Sequence, residues 1–230
     1  MSVDGIWLAS ASKRRATLLN KFISTNNFEI KLFCVPLIED EVLTKCSTLE
    51  ETVFSITKTK MENAFLEISL GRLEKSECFK HPQNVISIVS DTIVEDPDSF
   101  EQLFGKAKDI LEATSMLKIL SGRKHKVWTS TGLVVHNSIV ELLELDLKPE
   151  IIFDEWFGYI WTEFSTVEID ELSDEILHQL LESNSWKGKA GGYDLDGQMS
   201  DYAKVIDGKK ITVLGLAAKA IENLEKIIKT

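Results

Sequence analysis

The run Leu8-Ala9-Ser10-Ala11-Ser12-Lys13-Arg14-Arg15 sets two hydroxyls and three cations where a short apolar stretch passes into a helical one. Ile6 to Ala9 predicts a buried strand, and the helix is expected to start near Ser12. A helix N-terminus already offers unpaired N–H donors and about half a positive charge. Cations in its first turn are therefore unfavourable by roughly a few tenths of a kcal/mol unless an anion balances them. Ser10, Ser12, backbone N–H groups and guanidinium from the Arg14-Arg15 pair could together hold such an anion, and phosphate is the leading candidate.

Other chemistry-bearing residues are scattered. Asp91 follows the apolar run Val85-Ile86-Ser87-Ile88-Val89 and reads as the end of an interior strand, where ligands collect in open α/β sheets; a capping or structural acid is the plainer reading. Glu39-Asp40-Glu41 reads first as a solvated acidic loop. Folded near Asp91, it would give paired carboxylates suited to Mg²⁺, the ion a triphosphate brings with it. Lys60 falls inside the apolar stripe of Val53, Ile56, Ala64 and Ile68, so it either snorkels to solvent or points inward at an anion. Lys106 and Lys189 are unremarkable singly, and a phosphate clamp would need such distant lysines to converge. The chain has no GxxxxGK[ST] loop, no HExxH and no GxSxG, which disfavours P-loop, zincin and α/β-hydrolase chemistry.

Composition narrows the partners. The 230 residues can bury a substantial core, and a net charge of −11 argues against nucleic acid, whose phosphates demand cation density. No segment approaches a membrane span, and no apolar leader precedes the basic cluster. Cys34, Cys46 and Cys78 lack CxxC spacing, so neither zinc nor a disulfide framework is expected, and a reducing, cytoplasmic setting is the simple reading.

The elements that must position these groups alternate. Strands are expected at Ile6–Ala9, Glu29–Val35 and Val85–Val89, with the last resuming at Ile93-Val94. Helices are expected from Ser12, over Leu49–Leu70 with a stop at Gly71, over Asp109–Leu120, from the Ser173 cap to Leu181, and over Leu216–Ile228. Leu103 to Lys108 reads as a connection. Two hairpins are predicted, one turning at His136-Asn137 between His125–His136 and Ser138–Leu145, the other at Gly208 within Ala203–Val213. Ile151 to Ile169 reads as one or two strands. Lys187-Gly188-Lys189-Ala190-Gly191-Gly192-Tyr193 is a glycine-rich turn. The pattern predicts a mixed α/β sheet covered by helices, in one domain with no separable linker.

Five blocks, in order along nearly the whole chain, resemble the Maf family of nucleoside triphosphate pyrophosphatases, relatives of the inosine triphosphate pyrophosphatases. They are Leu8 to Leu19 (LASASKRRATLL), Ser90 to Val94 (SDTIV), Gly105-Lys106 with Met116-Leu117 and Leu120 to Thr129 (LSGRKHKVWT), Leu172 to Ile176, and Lys189 to Tyr193 (KAGGY). The resemblance implies a long twisted mixed β-sheet flanked by helices, in two lobes with a cleft. It implies hydrolysis of a nucleoside triphosphate to the monophosphate and pyrophosphate with Mg²⁺ or Mn²⁺. Asp91 is then the proton acceptor, Lys60 and Lys106 bind phosphates, Arg14 and Thr92 take part in substrate selection, and Glu41 joins Asp91 at the metal. The family tends to form dimers, so a homodimer is an expectation that nothing in the sequence decides. KAGGY resembles the branch acting on dTTP and UTP. Lys13 replaces a family proline, and Asp196 stands where the family has a glutamine involved in base choice. The late block is degraded to Gly208–Ala217, and residues 139–155 form a longer connection. The Asp196 exchange keeps a 7-methyl-GTP-type pyrophosphatase open as an alternative, and together with the degraded late block it keeps open a catalytically impaired nucleotide-binding regulator of cell division.

Overall fold

The computed structural model describes residues 3–39, 45–74, 81–140 and 148–229. Eight strands form one mixed sheet: β1 (Gly5–Leu8), β2 (Lys31–Cys34), β3 (Val85–Asp96), β4 (Ser99–Phe104), β5 (Lys124–His136), β6 (Ile151–Phe153), β7 (Trp156–Ile169) and β8 (Ala203–Asp207). The path runs β2-β1-β3-β5-β7-β6, with β4 added to β3 and β8 to β7. β1 is parallel to both neighbours, and every other pairing is antiparallel. The helices are α1 (Lys13–Thr25), α2 (Leu49–Ser69), α3 (Ile110–Leu120), α4 (Asn137–Val140), α5 (Asp174–Glu182), α6 (Lys210–Val213) and α7 (Ala218–Lys229).

Strand alternation divides the core. Ile6, Leu8, Ile86 and Ile88 point to one face, where Leu19 of α1 and Leu224 and Ile227 of α7 cover them. Trp7, Ala9, Val85 and Val89 point to the other, under Met61, Ala64, Phe65 and Ile68 of α2. A third cluster lies towards the far ends of β3, β5 and β7, closed by α3 and α5 through Leu117, Leu120, Leu177 and Leu180. α2 begins at a reciprocal cap: Glu51 N–H donates to the Thr48 hydroxyl while the Glu51 carboxylate accepts from Thr48 N–H. It stops at Gly71, whose φ is +79°.

Four local expectations need correction. β3 does not stop before Asp91; it continues to Asp96, so Asp91 is a mid-strand residue. The cross-strand hydroxyls of Ser130, Thr131 and Thr129 on β5 accommodate the polar stretch Ser90-Asp91-Thr92. The Leu103–Lys108 connection begins inside a strand, β4. His136-Asn137 is not a hairpin turn: the described residues that follow, Asn137 to Val140, form α4. Gly208 does turn the chain, but Lys210 to Val213 coil into α6 instead of returning as a strand.

Candidate active site

The site forms where the neighbours of β3 change. β1 accompanies β3 as far as the pair Leu8 and Ile88, and Ala9 N–H donates to Ile88 O at 2.9 Å. On the same edge β4 joins only at Val94. The stretch between is faced by the Ser10–Ser12 turn and the start of α1. There a cavity of about 180 Å³ is lined by Ser10, Ser12, Arg14, Arg15, Asp91, Thr92 and Lys106, with Gly188 and Ala190 on its wall. This is the crevice beyond the carboxyl end of a parallel strand, where open α/β sheets bind ligands.

Both serines build the turn. Ser12 caps α1, its hydroxyl accepting from Arg15 N–H at 3.3 Å, and Ser10 Oγ accepts from Ser12 N–H at 3.3 Å. The two arginines then divide the work. Arg15 is tied into the framework: Nε donates to Gly215 O at 2.7 Å, Nη1 to Ser10 Oγ at 3.2 Å and Nη2 to Thr92 Oγ1 at 3.1 Å. Thr92 Oγ1 also meets Thr129 Oγ1 at 3.0 Å, and Thr129 donates to Thr212 O at 2.7 Å. Thr92 is thus fixed between the strand and the 212–215 segment. Arg14 is the less satisfied cation. Its Nη1 lies 3.5 Å from Asp194 Oδ1, and its Nε is buried with no hydrogen-bond partner. Burial pulls its pKa below the usual arginine value, while Asp194 opposes that shift.

Lys60 resolves the anomaly in the stripe of α2. Only 4% exposed, it points at the sheet, and Nζ donates to Asp91 Oδ1 at 2.8 Å. Asp91 shares the α2 face of β3 with Val89 and Ile93, so a helix laid across that face must bring a cation to it. Lys106 sits in a bridge with Ala190, and Gly191 N–H donates to Gly105 O at 3.0 Å, which pins the glycine-rich turn beside the cavity. Ser10, Ser12, Arg14, Lys60, Asp91, Thr92 and Lys106 are therefore brought together. Asp196 does not line this cavity: it is exposed and paired with Lys210 Nζ at 2.5 Å, while its charge also acts on Arg14. Glu41 lies outside the described residues.

Two groups that spacing did not single out complete the surroundings. Asp194 bridges Arg14 and Lys189, whose Nζ lies 3.1 Å from Asp194 Oδ2. His125 is buried and joined through Nε2 to the Tyr193 hydroxyl at 2.9 Å. Desolvation lowers the His125 pKa to about 4 and raises that of Tyr193, so both stay neutral near pH 7. A sequence signal for Asp194 existed, since the glycine-rich turn and its lysines stood out, but nothing in it named a partner on α1.

For a divalent metal, the donor set is minimal. No group of three His, Cys, Asp or Glu among the described residues could hold one. Asp91 offers one hard oxygen beside the one engaged by Lys60, which suits Mg²⁺ carried in by phosphate oxygens and water better than a resident ion in a protein cage.

The chain is 32% identical over 229 residues to a dTTP/UTP pyrophosphatase of Ruminiclostridium cellulolyticum, covering 97% of this chain and 98% of that protein. It is 30% identical over 211 residues to a dTTP/UTP pyrophosphatase of Pyrococcus furiosus, covering 92% and 88%. A solved nucleoside-triphosphatase / dITP/XTP pyrophosphatase from Mycobacterium abscessus overlaps 73% of this chain and 74% of its own at 8% identity, with a TM-score of 0.35, too low to inform the fold. The Maf family description, "Maf-like protein", matches residues 5–227, and the chain belongs to that family.

Proposed function

We propose that the protein hydrolyses a pyrimidine nucleoside triphosphate, dTTP or UTP, to the monophosphate and pyrophosphate. The observation that carries this reading is the pairing of buried Lys60 with Asp91 at the wall of a cavity that Arg14, Lys106 and the start of α1 also line. A carboxylate with one oxygen fixed by a buried ammonium is held in a single orientation, and its other oxygen is left for a water. That water's oxygen attacks the α-phosphorus, the bond to the bridging oxygen breaks, pyrophosphate leaves, and the water's proton passes to Asp91. Arg14, Lys106 and the N-terminus of α1 supply the positive field that the leaving pyrophosphate needs. Positioning and charge neutralisation of this kind supply most of the catalysis in phosphoryl transfer.

A divalent ion arriving with the substrate would be held by Asp91 and phosphate oxygens, with Glu41 as the second carboxylate the family resemblance suggests. When bound, it would polarise the phosphoryl oxygens and offset their charge. The pyrimidine choice is supported by the names of the relatives and by the KAGGY turn, whose Ala190 lies on the cavity wall. Asp196, paired with Lys210, gives no separate support to a guanine-edge reading. A cytoplasmic setting is supported by Cys34 and Cys46 being free thiols, and no described helix is long and apolar enough to cross a membrane.

The test is pyrophosphate release from a panel of dTTP, UTP, dCTP, GTP and 7-methyl-GTP with Mg²⁺, beside Asp91→Asn. The expected result is turnover of the two uracil- or thymine-bearing substrates, reduced about 10²–10⁴-fold by Asp91→Asn. Equal turnover by the variant removes Asp91 from its role. Binding without turnover of any triphosphate favours the regulator.

A further inference from the structure

The glycine-rich turn contributes more to the cavity than a wall. Gly188, Gly191 and Gly192 have φ values of +71°, +70° and +72°, a backbone path that brings Lys189 and Asp194 back towards each other. Asp194 then spans two cations from distant parts of the chain, Arg14 on α1 at 3.5 Å and Lys189 at 3.1 Å. All three side chains are about four-fifths buried, with exposures of 18%, 22% and 21% for Arg14, Lys189 and Asp194. Arg14 lines the cavity, and its Nε is buried without a hydrogen-bond partner. The Arg14–Asp194 separation is also long for a charge-assisted hydrogen bond. Asp194 therefore compensates the guanidinium without saturating it, leaving donor capacity for an acceptor in the cavity.

We propose that Asp194 is a positioning residue for polyphosphate binding: it holds Arg14 and Lys189 as a paired cation site that takes the anionic end of the substrate farthest from Asp91. This deepens the reading of a triphosphate substrate and rests on it. Its physical logic is preorganisation. Two mutually repelling cations, each largely withdrawn from water, stay together only if an anion sits between them. With that anion removed, each cation turns to solvent, and the substrate must gather them at the expense of affinity.

The experiment measures calorimetric affinity for inorganic tripolyphosphate, without added divalent cation, in the full-length wild type, Asp194→Asn, Asp194→Glu and Lys189→Met. Steady-state kinetics with the best triphosphate of the panel follow. Asp194→Asn is expected to weaken tripolyphosphate binding about tenfold and raise KM by a similar factor, with kcat within about threefold. Asp194→Glu should recover part of the loss, and Lys189→Met should weaken binding less than Asp194→Asn. Unchanged or tighter binding in Asp194→Asn overturns the proposal, because Asp194 would then be a spectator or a competitor of the substrate. A fall in kcat at constant KM overturns it as well. Lys189→Met keeps the test decisive should an Asp194 variant fold poorly, and the calorimetric arm is read whether or not any nucleotide is turned over.

Discussion

Lys60 and Asp91 show how a single residue pair carries both stability and chemistry. Lys60 is almost wholly buried while the Asp91 side chain is 21% exposed, so the pair lies at the boundary between core and cavity. Removing one partner strands the other charge where water can reach only part of it. Lys60→Met is therefore expected to lose about 2 kcal/mol of stability, below the range for a fully buried pair because Asp91 keeps some solvent. The double variant Lys60→Met/Asp91→Asn should regain most of that loss, since no unpaired charge remains. Urea denaturation of the four proteins in the cycle measures both terms, and a double variant as unstable as the single one would show that Lys60 acts through packing alone. At this scale the sequence disclosed residue types well. Lys60 stood out because it fell inside an apolar stripe, where snorkelling to solvent and an inward anion were both open, and Asp91 because it interrupted an apolar run. Residue type and spacing did not separate Arg14 from Arg15, because adjacent helix positions point about 100° away from each other and their surroundings decide which one meets a ligand; the family resemblance alone singled out Arg14.

Among the elements, the link from β8 to α6 is the most sharply constrained. Gly208 has φ +86°, and a Cβ there would stand 2.8 Å from Ser165 Cα and 2.9 Å from Phe164 O, both backbone atoms that cannot rotate aside. Ser165 Oγ meanwhile donates to Lys209 O and accepts from Lys209 N–H, each at 2.9 Å, clamping the turn onto β7. Gly208→Ala combines left-handed strain with overpacking and is expected to cost about 3 kcal/mol. The cost should be read as a lowered urea midpoint. The turn also feeds the site: α6 and the residues after it deliver Thr212 O to Thr129 and Gly215 O to Arg15. Gly208→Ala is thus expected to weaken polyphosphate binding as well, and a variant with native stability would refute the steric argument. The hairpin expected at Gly208 failed for a related reason. Glycine marks a left-handed bend, but whether the chain then extends or coils depends on what receives it, here β7 and β5 and not a free strand edge.

For the molecule as a whole, acid should be a selective stress because of one buried imidazole. His125 is 3% exposed and hydrogen-bonded to Tyr193, and burial holds its pKa at about 4 against an ordinary value near 6.5. The unfolded chain binds that proton more readily than the folded one, so stability is unaffected above pH 6.5 and falls as the pH drops from 6.5 towards 4. The full contribution is about 3 kcal/mol, spread over that window. In His125→Gln the slope of unfolding free energy against pH between 6.5 and 5 should be shallower than in the wild type, whatever the cost of the substitution itself. Parallel slopes would mean that His125 takes up its proton as readily in the folded protein as in the unfolded chain. Tyr193 adjoins Asp194 in the chain, so acid loosening of this pair should also reach the cation site on Arg14.

What the sequence determined by itself was the order of most of the elements, the Ser173 cap of α5 and the stop of α2 at Gly71, the face of α2 that packs, and the residue types that phosphate chemistry requires. Those are local properties, written in side-chain period, capping hydroxyls and glycine positions within a few residues of one another. The tertiary structure alone decided that β3 runs on past Asp91, that Arg15 is tied to Gly215, Ser10 and Thr92 while Arg14 is not, and that Asp194 pairs with Arg14. Each of these depends on contacts between segments far apart in the chain. Strand length is set by the hydroxyls that β5 offers across the ladder, and the role of a charged group by the countercharge that folding brings within a few ångströms of it.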